Sequence, residues 1–330
     1  MIWGGDMTFK ELCDDYLAYH KNILCNSTYY NRAGKIRTSL VPYFGTMDVD
    51  KIKPEDVKNW KASMLNHKIK TRGVLHSYAD RTLSDMYHCL VNVLNYGMSV
   101  YGLKTNVAAT CGRFKKITIK RIKKEQYWTL DEYRLFSSVI DDEKWKLIFD
   151  LLYFTGARLG EIRALQWTDL NNQYISITKS IDDKPGAPNK GMKEPKNQYS
   201  VRDVRLPVRL YMRLLSYKDT SSKKEGFNDG WFIAGNEKPA SKTNIRHRKE
   251  MYCKKAGLPP ITLHGFRHSH VSMLINSDKN VNLLTVANRL GHKNATRILK
   301  VYAHMWPNQQ KDLDDTLNSV TMYMDEAILE

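Results

Sequence analysis

The chain has 330 residues, more than one hydrophobic core usually supports, so length alone predicts two domains. With 42% hydrophobic and 26% charged residues it reads as a globular protein, which excludes wholesale disorder and a fibre. Fifty-two Lys+Arg against 35 Asp+Glu give a net charge of +17, an excess that calls for a polyanionic partner such as nucleic acid or an acidic membrane surface. A membrane span is excluded: the longest apolar run, Leu147 to Phe154, is broken by Asp150 and falls far short of the roughly 20 residues a bilayer needs. No secretory signal opens the chain, and the cysteines Cys13, Cys25, Cys89, Cys111 and Cys253 form no CxxC pair. An odd number of unpatterned cysteines fits a reducing cytoplasm rather than a disulfide framework or a zinc ribbon.

In chain order, Thr8 and Glu11 form a T-x-x-E capping box ahead of Phe9, Leu12, Cys13, Tyr16 and Leu17, whose spacing predicts a helix. Further amphipathic segments run over about 28 to 41, about 54 to 66 with Pro54 in the first turn, and about 78 to 99. The first hundred residues therefore read as a helical bundle without a strand. Between Arg113 and Glu125 the sequence carries seven Lys/Arg and one acid, a basic linker that is either a solvated charge run or a strap along a phosphate backbone. A second capping box, Thr129 with Glu132, opens the next unit, and helical periodicity runs from Trp145 to Tyr153 and on through Leu165. Tyr174 to Ile181 alternates as a strand does, and Val201 to Leu206 is its expected partner. Helices are expected at about 208 to 216, 241 to 256, 265 to 276, 281 to 290 and 295 to 304.

Three places hold residues that a core does not need. Thr155-Gly156-Ala157-Arg158-Leu159-Gly160-Glu161 sets an arginine just after a glycine turn; His264-Gly265-Phe266-Arg267 sets a His and an Arg one helical turn apart; Leu290-Gly291-His292 precedes Tyr302 by ten residues. Singly, each has an ordinary explanation: an Arg158–Glu161 ion pair, a His264 at a helix start, a packed Tyr302. Together they make one chemical proposal. Two arginines clamp the non-bridging oxygens of a phosphodiester, histidines add donors or a base, and the Tyr302 phenol attacks phosphorus without a metal. His264, His268 and His270 invite a metal reading because His264 and His268 have the i,i+4 spacing of zinc ligands, but no Glu of the H-E-x-x-H kind lies between them and Arg267 would set a positive charge beside the ion. No metal and no cofactor is expected.

These residues resemble the tyrosine recombinase (phage integrase) family, in the branch of integrases from phages and conjugative transposons. The family's T-G-x-R-x-x-E box is matched by Thr155, Gly156, Arg158 and Glu161, its H-x-x-R box by His264 and Arg267, and its L-G-H followed by Tyr by Leu290, Gly291, His292 and Tyr302. The resemblance implies a mainly α fold with a small antiparallel β-sheet in the catalytic domain, arranged as a two-domain C-shaped DNA clamp. It implies a helical core-binding domain over 1–112, a basic interdomain linker over 113–125, a catalytic domain over 126–307 and a C-terminal tail over 308–330 that contacts a neighbouring protomer. Arg158 and Arg267 would grip the scissile phosphate, Tyr302 attack it, His264 act as general base and His292 hydrogen-bond the phosphate, with Glu161 structural. The family's general acid is a lysine on a β-hairpin, which here lies between Ile177 and Pro207 and holds Lys179, Lys184, Lys190, Lys193 and Lys196. Lys196 is the assignment, with Lys193 as runner-up.

The activity implied is site-specific strand cleavage and rejoining through a 3′-phosphotyrosine, integrating and excising a mobile element. The alternatives are a type IB topoisomerase-like enzyme that relaxes DNA and a catalytically inactive DNA-binding relative. Implied partners are double-stranded DNA core sites, a homo-tetramer on paired sites that is monomeric or weakly associated off DNA, and accessory DNA-bending or directionality factors, in a bacterial cytoplasm at the nucleoid and with no membrane. Arg246 and Lys249 of the helix at 241 to 256, and Lys115, Lys116, Lys120 and Arg121 of the linker, are candidate DNA contacts. The tail from Asn308 to Glu330 holds six acids and one Lys with Leu313, Leu317, Val320, Met324 and Ile328 interspersed, which suits a basic neighbouring protomer better than DNA. Many integrases of mobile elements carry an additional N-terminal domain for distant arm sites; nothing before Thr8 could encode one, which fits either a simpler two-domain recombinase or a truncated chain.

Overall fold

A computed structural model describes residues 7–71, 73–114, 127–181, 183, 191–193, 198–277, 281–292 and 296. The chain divides into two compact units, with the break between Lys123 and Lys124.

The first unit opens on α1 (Phe9–His20), whose capping box forms as its sequence predicts: the Thr8 backbone N–H donates to Glu11 Oε2 at 2.8 Å and Glu11 N–H donates back to Thr8 Oγ1 at 3.3 Å. α2 (Asn26–Lys35) runs through a wider π turn at Ile36–Leu40 into α3 (Val41–Phe44), followed by α4 (Pro54–Asn66). A hairpin then appears where no strand is expected: β1 (Lys68–Thr71) pairs antiparallel with β2 (Val74–Ser77). Its residues escape a periodicity test because the ribbon lacks a core face, so no apolar alternation marks it. α5 (Asp80–Tyr101) ends at Gly102 in the left-handed conformation, and α6 (Val107–Thr110) closes the unit. Phe9, Leu12, Leu40, Phe44, Trp60, Leu90 and Leu94 share one core.

The second unit begins with α7 (Leu130–Ser138), capped by Thr129 and Glu132 as predicted, and α8 (Glu143–Thr155). Asp150, which interrupts the apolar run of α8, is buried and accepts from the Tyr133 hydroxyl and the Arg213 guanidinium. A buried carboxylate needs such partners to stay charged. α9 (Leu159–Ala164) leads into β3 (Leu170–Asn171) and β4 (Tyr174–Ile177), then β5 (Ser180–Ile181), β6 (Met192–Lys193) and β7 (Arg202–Arg205). β4 is central in the order β3-β4-β7 and pairs antiparallel with β7, Ile175 opposite Val204, as the alternation predicts; β5 pairs separately with β6. α10 (Val208–Ser222), α11 (Lys242–Lys255), α12 (Gly265–Ile275) and α13 (Leu283–Leu290) complete the described fold. α8 and α12 pack together at the centre, with Phe149 stacked on Phe266 at 5.6 Å between ring centroids. Among the described residues no helix is long and apolar enough to cross a membrane.

Candidate active site

The turn after α8 is built on Gly156, whose φ of +64° an L side chain resists; a Cβ there would also lie 2.6 Å from the His270 ring. This turn aims the Gly156 carbonyl at Arg267 and starts α9 at Arg158. Arg267, on the first turn of α12, is 3% exposed and donates from Nη1 to the Gly156 carbonyl at 2.9 Å and from Nη2 to the Leu290 carbonyl at 2.7 Å. The same Nη2 lies 2.9 Å from His292 Nε2. A guanidinium only donates, so Nε2 is the acceptor there and the His292 proton sits on Nδ1. Two segments distant in sequence, at Gly156 and at Leu290 to His292, are thus tied to one cation on a third.

Arg158 lies beside them with its side chain 39% exposed, donating from Nη1 to Glu161 Oε1 at 2.8 Å. The Arg158 backbone N–H donates to Glu161 Oε2 at 2.9 Å, and the buried Arg202 guanidinium reaches the same oxygen at 2.9 Å. Burial pushes the Glu161 carboxyl toward its neutral form, but the charge and hydrogen bond of Arg202, with Arg158 behind them, outweigh it and hold the group ionised below its usual range. Glu161 therefore fixes the root of Arg158 while leaving part of that cation at the surface. His264 caps the start of α12, its ring edge-to-face with His268 at 5.0 Å. His270 turns the other way, into the core, so the three histidines do not converge.

The positions of the remaining candidates differ. Lys179 is engaged, donating to Gln166 Oε1 at 2.6 Å and Asp169 Oδ1 at 3.0 Å. Lys193 sits in β6 opposite Ser180. Lys196, Tyr302, the linker residues Lys115, Lys116, Lys120 and Arg121, the segment 297–304 and the tail 308–330 lie outside the described residues. Arg246 is exposed on α11. Lys249 is a correction: it is 5% exposed and its ammonium donates to the Ile261 carbonyl, so it supports the core instead of meeting a duplex. Its place with Ile245, Tyr252 and Cys253 on one helical stripe explains why.

Sequence reading missed Arg202 and Arg289, and weighed His270 only as a possible metal ligand. Arg202 donates from Nε to the Arg289 carbonyl at 2.7 Å as well as to Glu161. Arg289 in turn reaches the carbonyls of Phe154 at 3.0 Å and Arg205 at 3.1 Å and donates to His270 Nε2 at 3.2 Å. Burial first, and the Arg289 charge second, depress the His270 pKa to about 3. A neutral imidazole thus packs beneath Gly156 within a cluster of arginines.

The profile of the phage integrase family matches residues 126–309, the span that holds all of this geometry. The chain belongs to the phage integrase family. The family's N-terminal SAM-like domain matches residues 8–65. The ICEBs1 integrase of Bacillus subtilis (strain 168) is 27% identical over 326 residues, 95% of this chain and 83% of that protein. A structure of the Tn1549 transposon integrase in complex with a circular intermediate DNA has a TM-score of 0.73 at 20% identity, covering 94% of this chain and 100% of that one. A lambda integrase tetramer bound to a Holliday junction has a TM-score of 0.63 at 15% identity, covering 88% and 79%. The phage integrase family member described here is a tyrosine recombinase of a mobile element, an enzyme that cleaves and rejoins DNA.

Proposed function

We propose that the recombinase cuts each strand at a core site through a 3′-phosphotyrosine. In this reading Arg158 and Arg267 neutralise the scissile phosphate, His292 hydrogen-bonds it, and His264 takes the proton of the Tyr302 phenol as its oxygen bonds phosphorus. The P–O bond to the 5′ oxygen breaks, and Lys196 gives that oxygen its proton. The phosphotyrosine conserves the energy of the broken strand, so a second 5′ hydroxyl can reverse the step on a new partner.

The observation that carries the reading is the Arg267 knot: one buried guanidinium joins the turn before Arg158, the end of α13 and His292. A cation anchored on backbone carbonyls cannot swing away, and preorganised charge is what a phosphorane needs. We assign core-site binding to residues 1–112, the basic linker to 113–125 and catalysis to 126–307. On DNA the two domains close around the duplex as a C-shaped clamp, with Arg246 and the linker cations on the phosphates. Four protomers assemble on paired sites, as in the lambda integrase tetramer, and the acidic tail 308–330 docks on a basic neighbour.

The test is Tyr302→Phe, which keeps the ring and removes the nucleophile. Wild type incubated with a nicked suicide duplex of the joined element ends is expected to give a covalent adduct on a denaturing gel, and the variant is expected to bind that duplex without forming one. An adduct formed by the variant would refute the assignment.

A further inference from the structure

The β1–β2 hairpin belongs to neither matched segment, since residues 68–77 fall between 8–65 and 126–309. We infer that it is a DNA-groove element of the recombinase, a reading that rests on the proposed function.

The hairpin does little for the core of its own unit. All of β2 is exposed, with Val74 and Leu75 at 63% and 66%, and Lys68 and Lys70 of β1 are exposed too. A two-stranded ribbon with no buried face is marginal in water and gains stability from a surface that covers it. Its base is nonetheless well defined: the His67 and Tyr78 rings stack at 5.5 Å, and Lys68 Nζ donates to Ser77 Oγ at 2.8 Å. Thr71 lies opposite Val74, with Gly73 at φ +85° in the turn between them.

Charge selects the partner. From Val57 to Ala79 the sequence carries five Lys/Arg and no acid. The register sets Lys68 beside Ser77 and Lys70 beside Leu75 on one face, so two cations, a hydroxyl and an apolar side chain are presented together. Cations and a hydroxyl suit phosphates, and an apolar tip suits a thymine methyl. A two-stranded ribbon is also a shape the major groove of B-DNA admits. Both edges of this two-stranded sheet are open, but lysines on an edge disfavour pairing with a strand of another protein.

The experiment uses the full chain and the duplex of the joined element ends, with a scrambled duplex of equal composition as comparison. Lys68→Ala/Lys70→Ala is expected to bind on the order of tenfold more weakly at low salt and to lose roughly 1.8 from the log–log salt slope, about 0.9 per phosphate contact. Val74→Ser/Leu75→Ser is expected to narrow the preference for the joined ends over the scrambled duplex. All four positions are exposed or on the ribbon, so thermal unfolding is expected to match wild type, and at saturating protein both variants still form the covalent adduct. An unchanged slope with unchanged preference would overturn the proposal. Normal binding to one duplex with loss of two-duplex complexes would overturn it too, making the hairpin a contact between protomers. Failure of the wild type to form an adduct would instead sink the recombinase chemistry, a result separable from the salt slope.

Discussion

At the scale of single residues, the site is a small number of donors held by backbone acceptors. Arg267 and Arg289 spend hydrogen bonds on the carbonyls of Gly156, Leu290, Phe154 and Arg205, so the segments around the site are fixed by side chains. His270 shows the cost of that arrangement. Its pKa falls from 6.5 to about 3 because it is buried against arginines, whereas the unfolded chain takes up the proton near 6.5. The folded form is therefore at no disadvantage above pH 6.5 and loses stability progressively as pH falls from there toward 3. Replacing the ring by a side chain that does not titrate, His270→Asn, is expected to flatten the dependence of unfolding free energy on pH in this window. The change approaches one proton, about 1.4 kcal/mol per pH unit. Urea unfolding at a series of pH values checks it, and parallel wild-type and variant curves would show that His270 is not the group responsible.

At the scale of elements, one lysine roots the linker. Lys61 on α4 donates to the carbonyls of Cys111, Gly112 and Arg113 at 3.4, 3.0 and 3.1 Å, and its ammonium lies over the Tyr87 and Phe114 rings at 5.9 and 5.5 Å. Lys61→Met keeps the stem and removes the charge; tryptic cleavage at Arg113 is expected to speed up several-fold, while unchanged cleavage would mean that the segment from Cys111 to Arg113 holds without the lysine. Elements with one buried face were legible in the sequence. Capping boxes announced α1 and α7, and Ile175, Ile177, Val204 and Leu206 alternate inward as the β4–β7 pair requires. Two signals were present and went unread. Arg202 shares the inward face with Val204 and Leu206, which marks it as a buried arginine in need of an acid, and Lys249 falls on the apolar stripe of α11. The β1–β2 hairpin could not be read in this way, because a ribbon exposed on both faces has no periodicity to detect. The family's motif boxes were legible for a different reason: chemistry fixes residue types and spacings that packing does not. Which groups Arg267 and Glu161 touch depends on contacts distant in sequence and needed the fold.

At the scale of the whole molecule, two separate cores predict two separable pieces. Trp128, Phe136, Phe149, Tyr252 and Phe266 belong to the second unit's core and none of them to the first. Residues 1–112 and 125–330 expressed apart are each expected to give a cooperative unfolding transition and to bind the joined-end duplex far more weakly than the intact chain. Tethering makes the second contact intramolecular, a gain on the order of 100-fold or more. Catalytic-piece affinity equal to that of the full chain would argue against a clamp. The Arg267 knot also bears on when the protein becomes dangerous to a chromosome. Its bonds to Gly156 and Leu290 span 111 and 23 positions of the chain, so this arrangement exists only after residues 156 to 292 have all been synthesised and folded. On the proposed roles, a nascent or misfolded polypeptide would hold DNA by charge alone without the means to nick it, so completion of folding would act as the enzyme's own safety catch.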